Sequence, residues 1–96
     1  MSSIVVGVLT VDLLAVDSSS LKDKRQVVKS LLDTTKNRFN VSAAELDSLD
    51  SRHRAVLGFA CISNDRKVAN GVLNRILGFI ESDPRVAVEG TRLEFL

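Results

Sequence analysis

The chain alternates between two kinds of hydrophobic pattern. The first is a run rich in β-branched residues, Ile4 to Leu14, in which Val5, Leu9, Val11 and Leu13 fall on one face and Ile4, Val6 and Val8 on the other, before Thr10 and Asp12 turn that second face polar. This predicts a strand covered on both sides over its first half. After a short loop, Ala15 to Ser19, the period changes. Apolar positions 21, 27, 28, 31, 32 and 39, with Thr35, fall at helical spacing. Ser20 is the expected N-cap, with Asp23 in the reciprocal capping position. The helix is expected to run to about Phe39, with Asn40 as its C-terminal turn residue. Val41 to Asp47 reads as an edge strand, and Ser48 to Arg54 as a polar connection. Ala55 to Ile62 is again apolar on both faces and predicts a second central strand. Ser63-Asn64-Asp65 caps a second helix whose apolar face is 68, 69, 72, 73, 76, 79 and 80, and Ser82-Asp83-Pro84 stops it. Val86 to Phe95 is the last strand, with Gly90 a candidate bulge.

The order is β-α-β-β-α-β. It predicts an α+β fold of the ferredoxin-like kind, a sandwich of a four-stranded antiparallel sheet with two helices on one face, as one domain over residues 1–96. Right-handed crossovers place the first and third strands side by side in the centre, in agreement with their two-sided apolarity. The sheet face away from the helices keeps several Val, Ile and Leu side chains. A homo-oligomer is therefore expected, most simply a dimer, formed through that face or through a strand edge, and the second functional reading is a non-catalytic protein-interaction or small-ligand-binding module that works through the sheet face or the subunit interface.

Composition narrows the function classes. The formal net charge is only +1, so no global field points to nucleic acid or membrane, and no DNA specificity is evident. The longest apolar run is too short to span a bilayer and lacks the basic flank of a signal peptide, so a cytoplasmic protein with no membrane partner is expected. A single cysteine, Cys61, rules out an internal disulfide and a multi-cysteine metal site. It reads as a small buried hydrophobe. His53, in Ser51-Arg52-His53-Arg54, has no Ser/Asp or Cys partner at recognisable spacing and reads as a plain loop residue. Asp47 and Asp50 could act as paired carboxylates, but no acid–base partner supports them. With no phosphate loop and no dinucleotide fingerprint, no catalytic residue, metal or cofactor is expected, and the protein is read as a non-enzyme.

The local charge is less balanced than the total. Residues 20–39 hold six cations, Lys22, Lys24, Arg25, Lys29, Lys36 and Arg38, against Asp23 and Asp33. On a helical wheel Lys22, Arg25, Lys29 and Lys36 share one narrow sector beside the core face. With Arg52 and Arg54 from the following connection, Lys22, Arg25 and Lys29 form a candidate phosphate-contacting surface for RNA or the ribosome. The plainer alternative is a solvated flank with local pairs, since Asp33 can reach Lys29 and Lys36. Lys24 stands apart. It lies near the core side, in a first turn where the helix dipole disfavours a cation, so a structural ion pair is expected, with Asp12 or an acidic residue of segment 45–50.

Comparison with other uses of the topology is mostly negative. Asp17-Ser18-Ser19-Ser20 lacks the arginine that an acylphosphatase needs after its first strand. Gly58-Phe59-Ala60 matches the centre of an RNA-recognition signature, but Leu57 replaces its leading cation and Cys61 a stacking aromatic. Reading of single-stranded RNA on the sheet is therefore not expected. Metal carriers need a paired-cysteine loop.

Val6-Gly7-Val8-Leu9-Thr10-Val11-Asp12-Leu13, Ser20-Leu21-Lys22-Asp23-Lys24-Arg25, Arg38-Phe39-Asn40-Val41-Ser42, Arg54-Ala55, Leu57-Gly58 and Ser63-Asn64-Asp65 together resemble the YlxP-like family of small bacterial proteins of unknown function. The resemblance covers nearly the whole chain. It implies a ferredoxin-like fold and, from the family's frequent placement beside genes for translation-initiation and ribosome-maturation factors, a role around RNA or the ribosome. The chain departs from the family at Arg52-His53, where an aromatic and a Gln are usual, and at Ala15-Val16-Asp17, where a Pro is frequent.

Overall fold

A computed structural model of the chain describes residues 3–96. The elements follow in the expected order: β1 (Val5–Ala15), α1 (Leu21–Arg38), β2 (Ser42–Asp47), β3 (Arg54–Ser63), α2 (Arg66–Glu81) and β4 (Val86–Phe95). The sheet order is β2-β3-β1-β4, with every neighbouring pair antiparallel. The fold is ferredoxin-like, and β1 and β3 form the centre.

Strand parity assigns the faces, because side chains alternate across a strand. The odd-numbered residues of β1, from Leu9 to Ala15, are buried beneath the helices. They oppose odd-numbered residues of β3, Leu9 against Phe59, Val11 against Leu57 and Leu13 against Ala55. The even residues Val6, Val8, Thr10, Asp12 and Leu14 line the other face and are half-buried. An extra residue in β4, Glu89, shifts the register opposite Asp12 and Leu13, so the bulge falls beside Gly90.

Both helices bury the same spacing. In α1 it is Lys24, Val28, Leu31 and Thr35, and in α2 it is Ala69, Leu73, Ile76 and Ile80. The second set is wholly apolar. The first begins and ends with polar groups that must be satisfied internally. Thr35 donates its hydroxyl to the Leu31 carbonyl at 2.7 Å.

The ends of α1 differ in detail from the sequence expectation. Ser20 Oγ accepts from the Asp23 amide at 3.0 Å, as a cap should. The reciprocal bond is displaced by one residue: Asp23 accepts from the amide and hydroxyl of Ser19, at 3.3 and 2.8 Å. The carboxylate of Asp reaches less far than that of Glu and meets the nearer turn. At the other end the chain leaves the helix through Phe39 in an extended conformation (φ −129°), not through a left-handed Asn40. Among the described residues, the non-glycine with positive φ is Ser48, at 62°.

Candidate functional site

The five cations proposed as a phosphate surface separate into two groups. Lys22, Arg25 and Lys29 project from the exposed flank of α1. Arg52 joins them at the same end of the molecule, because the loops there are tied together. Ala15 donates its amide to the His53 carbonyl at 2.7 Å, and Ser18 Oγ donates to the Arg52 carbonyl at 2.7 Å. The Arg52 backbone is thereby held while its side chain stays exposed.

Arg54 does not join this group. Its even parity in β3 directs it to the sheet face opposite the helices, where it forms a two-point ion pair with Asp12 across the β1–β3 ladder, Nε to Oδ1 at 3.0 Å. The hydrogen bonds from Arg54 hold the Asp12 carboxyl below its ordinary range and raise the Arg54 guanidinium. Lys29 is likewise engaged, with Asp33 one turn on at 2.6 Å, and that bond lowers the Asp33 carboxyl. Among the described residues, Lys22, Arg25 and Arg52 have no carboxylate within ion-pair distance.

The expected pairing of Lys24 with Asp12 is corrected. Lys24 is fully buried on the helix side of the sheet, and its Nζ donates to Glu45 Oε2 at 2.8 Å, to the Ser48 carbonyl at 3.1 Å and to the Leu49 carbonyl at 3.3 Å. Asp12 lies on the other face and is already paired. Glu45 belongs to the acidic segment 45–50 that supplied the alternative partner. All three donors of the ammonium are therefore used. They anchor the β2–β3 connection just where Ser48 takes its left-handed conformation, and so set the position of the loop that carries Arg52.

A cleft of about 350 Å³ opens beside this end, lined by Asp17, Ser18, Asp23, Gln26, Val27 and Arg85. Arg85 is its cation, but Asp83 grips it through two nitrogens, and Arg85 also donates to Ser30. The hydrogen bonds from Arg85 hold Asp83 below the ordinary carboxylate range. With Asp17 and Asp23 facing the same space, the cleft is not a cradle for phosphate. His53 is an exposed loop residue, and Cys61 is buried with its thiol near the Ile62 carbonyl. No cluster of metal-ligating side chains occurs among the described residues. No helix among them is long and apolar enough to cross a membrane.

The sheet face opposite the helices carries an apolar band. Ile62 is 72% exposed and Leu46 is 54% exposed. With Val8, Ala44, Gly58 and Ala60, Leu46 forms a shallow apolar cleft of about 220 Å³. Leu46 leans directly over Gly58, which has no Cβ to hold it away.

The fold is similar to that of the de novo designed protein Foldit4, with a TM-score of 0.54 and 19% identity over 96% of this chain and 97% of that one, a likeness of architecture alone. In sequence the chain is 36% identical over 90 residues to the uncharacterized protein YlxP of Bacillus subtilis (strain 168), spanning 94% of this chain and 98% of that protein. Residues 6–93 match the family described as "Protein of unknown function (DUF503)". The chain is therefore a member of the DUF503 family.

Proposed function

We propose that this protein is a non-enzymatic cytoplasmic accessory factor that binds RNA or a ribosomal particle through the exposed flank of α1. Lys22 and Arg25 contact phosphates together with Arg52, and Lys29 contributes once Asp33 releases it. The observation that carries the reading is the convergence of Lys22, Arg25 and Arg52 at one end without carboxylate partners, while Lys24 and Arg54 are engaged elsewhere. The gene context implied by the resemblance to the YlxP-like family supports it. Binding to purified ribosomal particles or their RNA, measured across a salt series, tests it. The triple variant Lys22→Ala/Arg25→Ala/Lys29→Ala is expected to weaken binding at least about tenfold and to flatten the salt slope by roughly 2–3, since each lost phosphate contact removes close to one unit. Binding that is insensitive both to salt and to this variant would refute the proposal.

A second reading concerns assembly, and the exposed apolar band favours it. A monomer seldom keeps so continuous an apolar face in water. Two copies packed sheet to sheet would cover Ile62, Leu46 and Val8 and leave both α1 flanks outside. The two readings are compatible.

A further inference from the structure

A second basic surface lies at the far end of α1. Two clefts, of about 540 and 350 Å³, meet there and share Arg38, Phe39 and Arg75 in their walls. The Arg38 guanidinium carbon is 5.6 Å from the centre of the Phe39 ring and 5.1 Å from that of Phe79. Such cation–π contacts fix the direction of an arginine without neutralising it. Among the described residues neither Arg38 nor Arg75 has a carboxylate within ion-pair distance, and Arg75 Nε donates only to the Gly71 carbonyl, at 3.4 Å. No acidic residue lines either cleft. The smaller cleft is walled by Val68 and Val72 of α2, which give apolar ground beside the two cations.

We propose that this groove binds a small organic anion in which a phosphate or carboxylate head is attached to a planar apolar body. The head pairs with Arg38 and Arg75, whose forked donors suit either oxyanion. The planar body lies against the Phe39 and Phe79 side or over Val68 and Val72. A single-ring aromatic acid is well within the volume of either cleft. Arg38 is pre-set by the two rings, so little side-chain order has to be imposed on binding. The inference stands apart from the RNA proposal: the groove is at the opposite end of α1 from Lys22, about 24 Å away at the helical rise, and either can fail alone.

Amide chemical shifts of the full chain, titrated with phenyl phosphate and with benzoate, test the proposal, with inorganic phosphate and phenol as controls. At least one of the two aromatic anions is expected to give saturable shifts confined to residues 38–40, 61–63 and 68–82. The controls, each lacking half of the recognised chemistry, should bind about tenfold or more weakly. The tighter of phenyl phosphate and benzoate identifies the head group. Arg38→Gln and Arg75→Gln should each weaken the tighter probe about tenfold, the scale of one charged hydrogen bond. Both side chains are exposed, so the variants should fold, which their own spectra verify. Lys36→Gln, an exposed cation of α1 outside the groove, should bind as the parent does. The proposal is overturned if neither aromatic anion saturates below about 10 mM, if the shifts map to the open sheet face or the first turn of α1, or if the Arg38→Gln/Arg75→Gln double variant binds like the parent.

Discussion

The Nζ of Lys24 and the Oε2 of Glu45 are 2.8 Å apart, with the lysine side chain wholly out of solvent and the glutamate 16% exposed. An ammonium this deep is tolerated because each of its donors is taken. Removing it strands a nearly buried carboxylate and two carbonyls. Lys24→Met keeps the volume of the stem and is expected to cost about 3–5 kcal/mol. Glu45→Gln leaves an acceptor in place and should cost less. The double variant Lys24→Met/Glu45→Leu should recover most of the loss, because an apolar pair of similar volume carries no desolvation penalty. Urea midpoints decide the matter, and a double variant less stable than Lys24→Met would contradict the account.

Two glycines offer a contrast in which the shorter distance is the milder problem. A Cβ on Gly58 would meet Leu46 Cδ1 at 2.5 Å, and one on Gly7 would meet Leu73 Cδ1 at 2.8 Å. Leu46 is 54% exposed and can swing into water, whereas Leu73 is sealed in the core. Gly7→Ala is therefore expected to cost about 1–3 kcal/mol through overpacking. Gly58→Ala should come out near neutral, since the entropy removed from the unfolded chain, about 0.4–1 kcal/mol, offsets the shift of Leu46. Paired denaturation curves test the order.

The sheet-to-sheet dimer can be tested at Ile62. Ile62→Asp places a charge where the proposed partner would cover it, at a site already open to water in one copy. Sedimentation should show a dimer for the parent and a monomer for the variant, with unchanged far-ultraviolet spectra. A parent that sediments as a monomer at micromolar concentration would remove this reading.

Four carboxyl groups, Asp12, Asp23, Asp33 and Asp83, are held below their ordinary value of 3.8 by hydrogen bonds, chiefly from Arg54, Ser19, Lys29 and Arg85 respectively. A lowered folded-state pKa favours the ionised form in the fold. The stabilisation is complete above the unfolded value and fades as pH falls through the lower, folded one. Stability should therefore be level from about pH 5 to 7 and decline below about pH 4. Asp12→Asn should soften that decline. A stability maximum at pH 3 would show that these bonds contribute nothing.

The architecture was largely legible, because its cause is periodicity. β1 and β3 announced central positions through apolar residues on both faces, and Ser20 and Asp65 marked the helix starts as caps. Lys24 was legible too, since its place on the wheel falls in the stripe shared with Val28, Leu31 and Thr35. Its partner was only half legible. Segment 45–50 held the right residue, but Asp12 was also offered, although its even parity in β1 sets it on the face away from the helices. Arg54 was grouped with the α1 cations for the same reason: nearness in charge runs says nothing about which side of a sheet a side chain leaves. The groove of Arg38 and Arg75 left no trace in the sequence. Its two cations are far apart along the chain and sit in unremarkable surroundings, and Phe39 and Phe79 read as core-facing positions of their helices. Only folding brings the four together.

The buried pair has a further consequence, for solubility. β2 and β4 form the two rims of the sheet, where unpaired backbone groups invite a strand from another molecule. Glu45 points inward from β2, and the register of that strand breaks between Glu45 and Asp47. β4 breaks at Glu89 and carries the Arg92–Glu94 pair. Neither rim offers a long flat template, so stacking into fibrils is obstructed on both sides. The Lys24→Met/Glu45→Leu variant would keep its fold but lose one of these guards. It is expected to aggregate faster than the parent on prolonged incubation, a cost that a denaturation curve would not reveal.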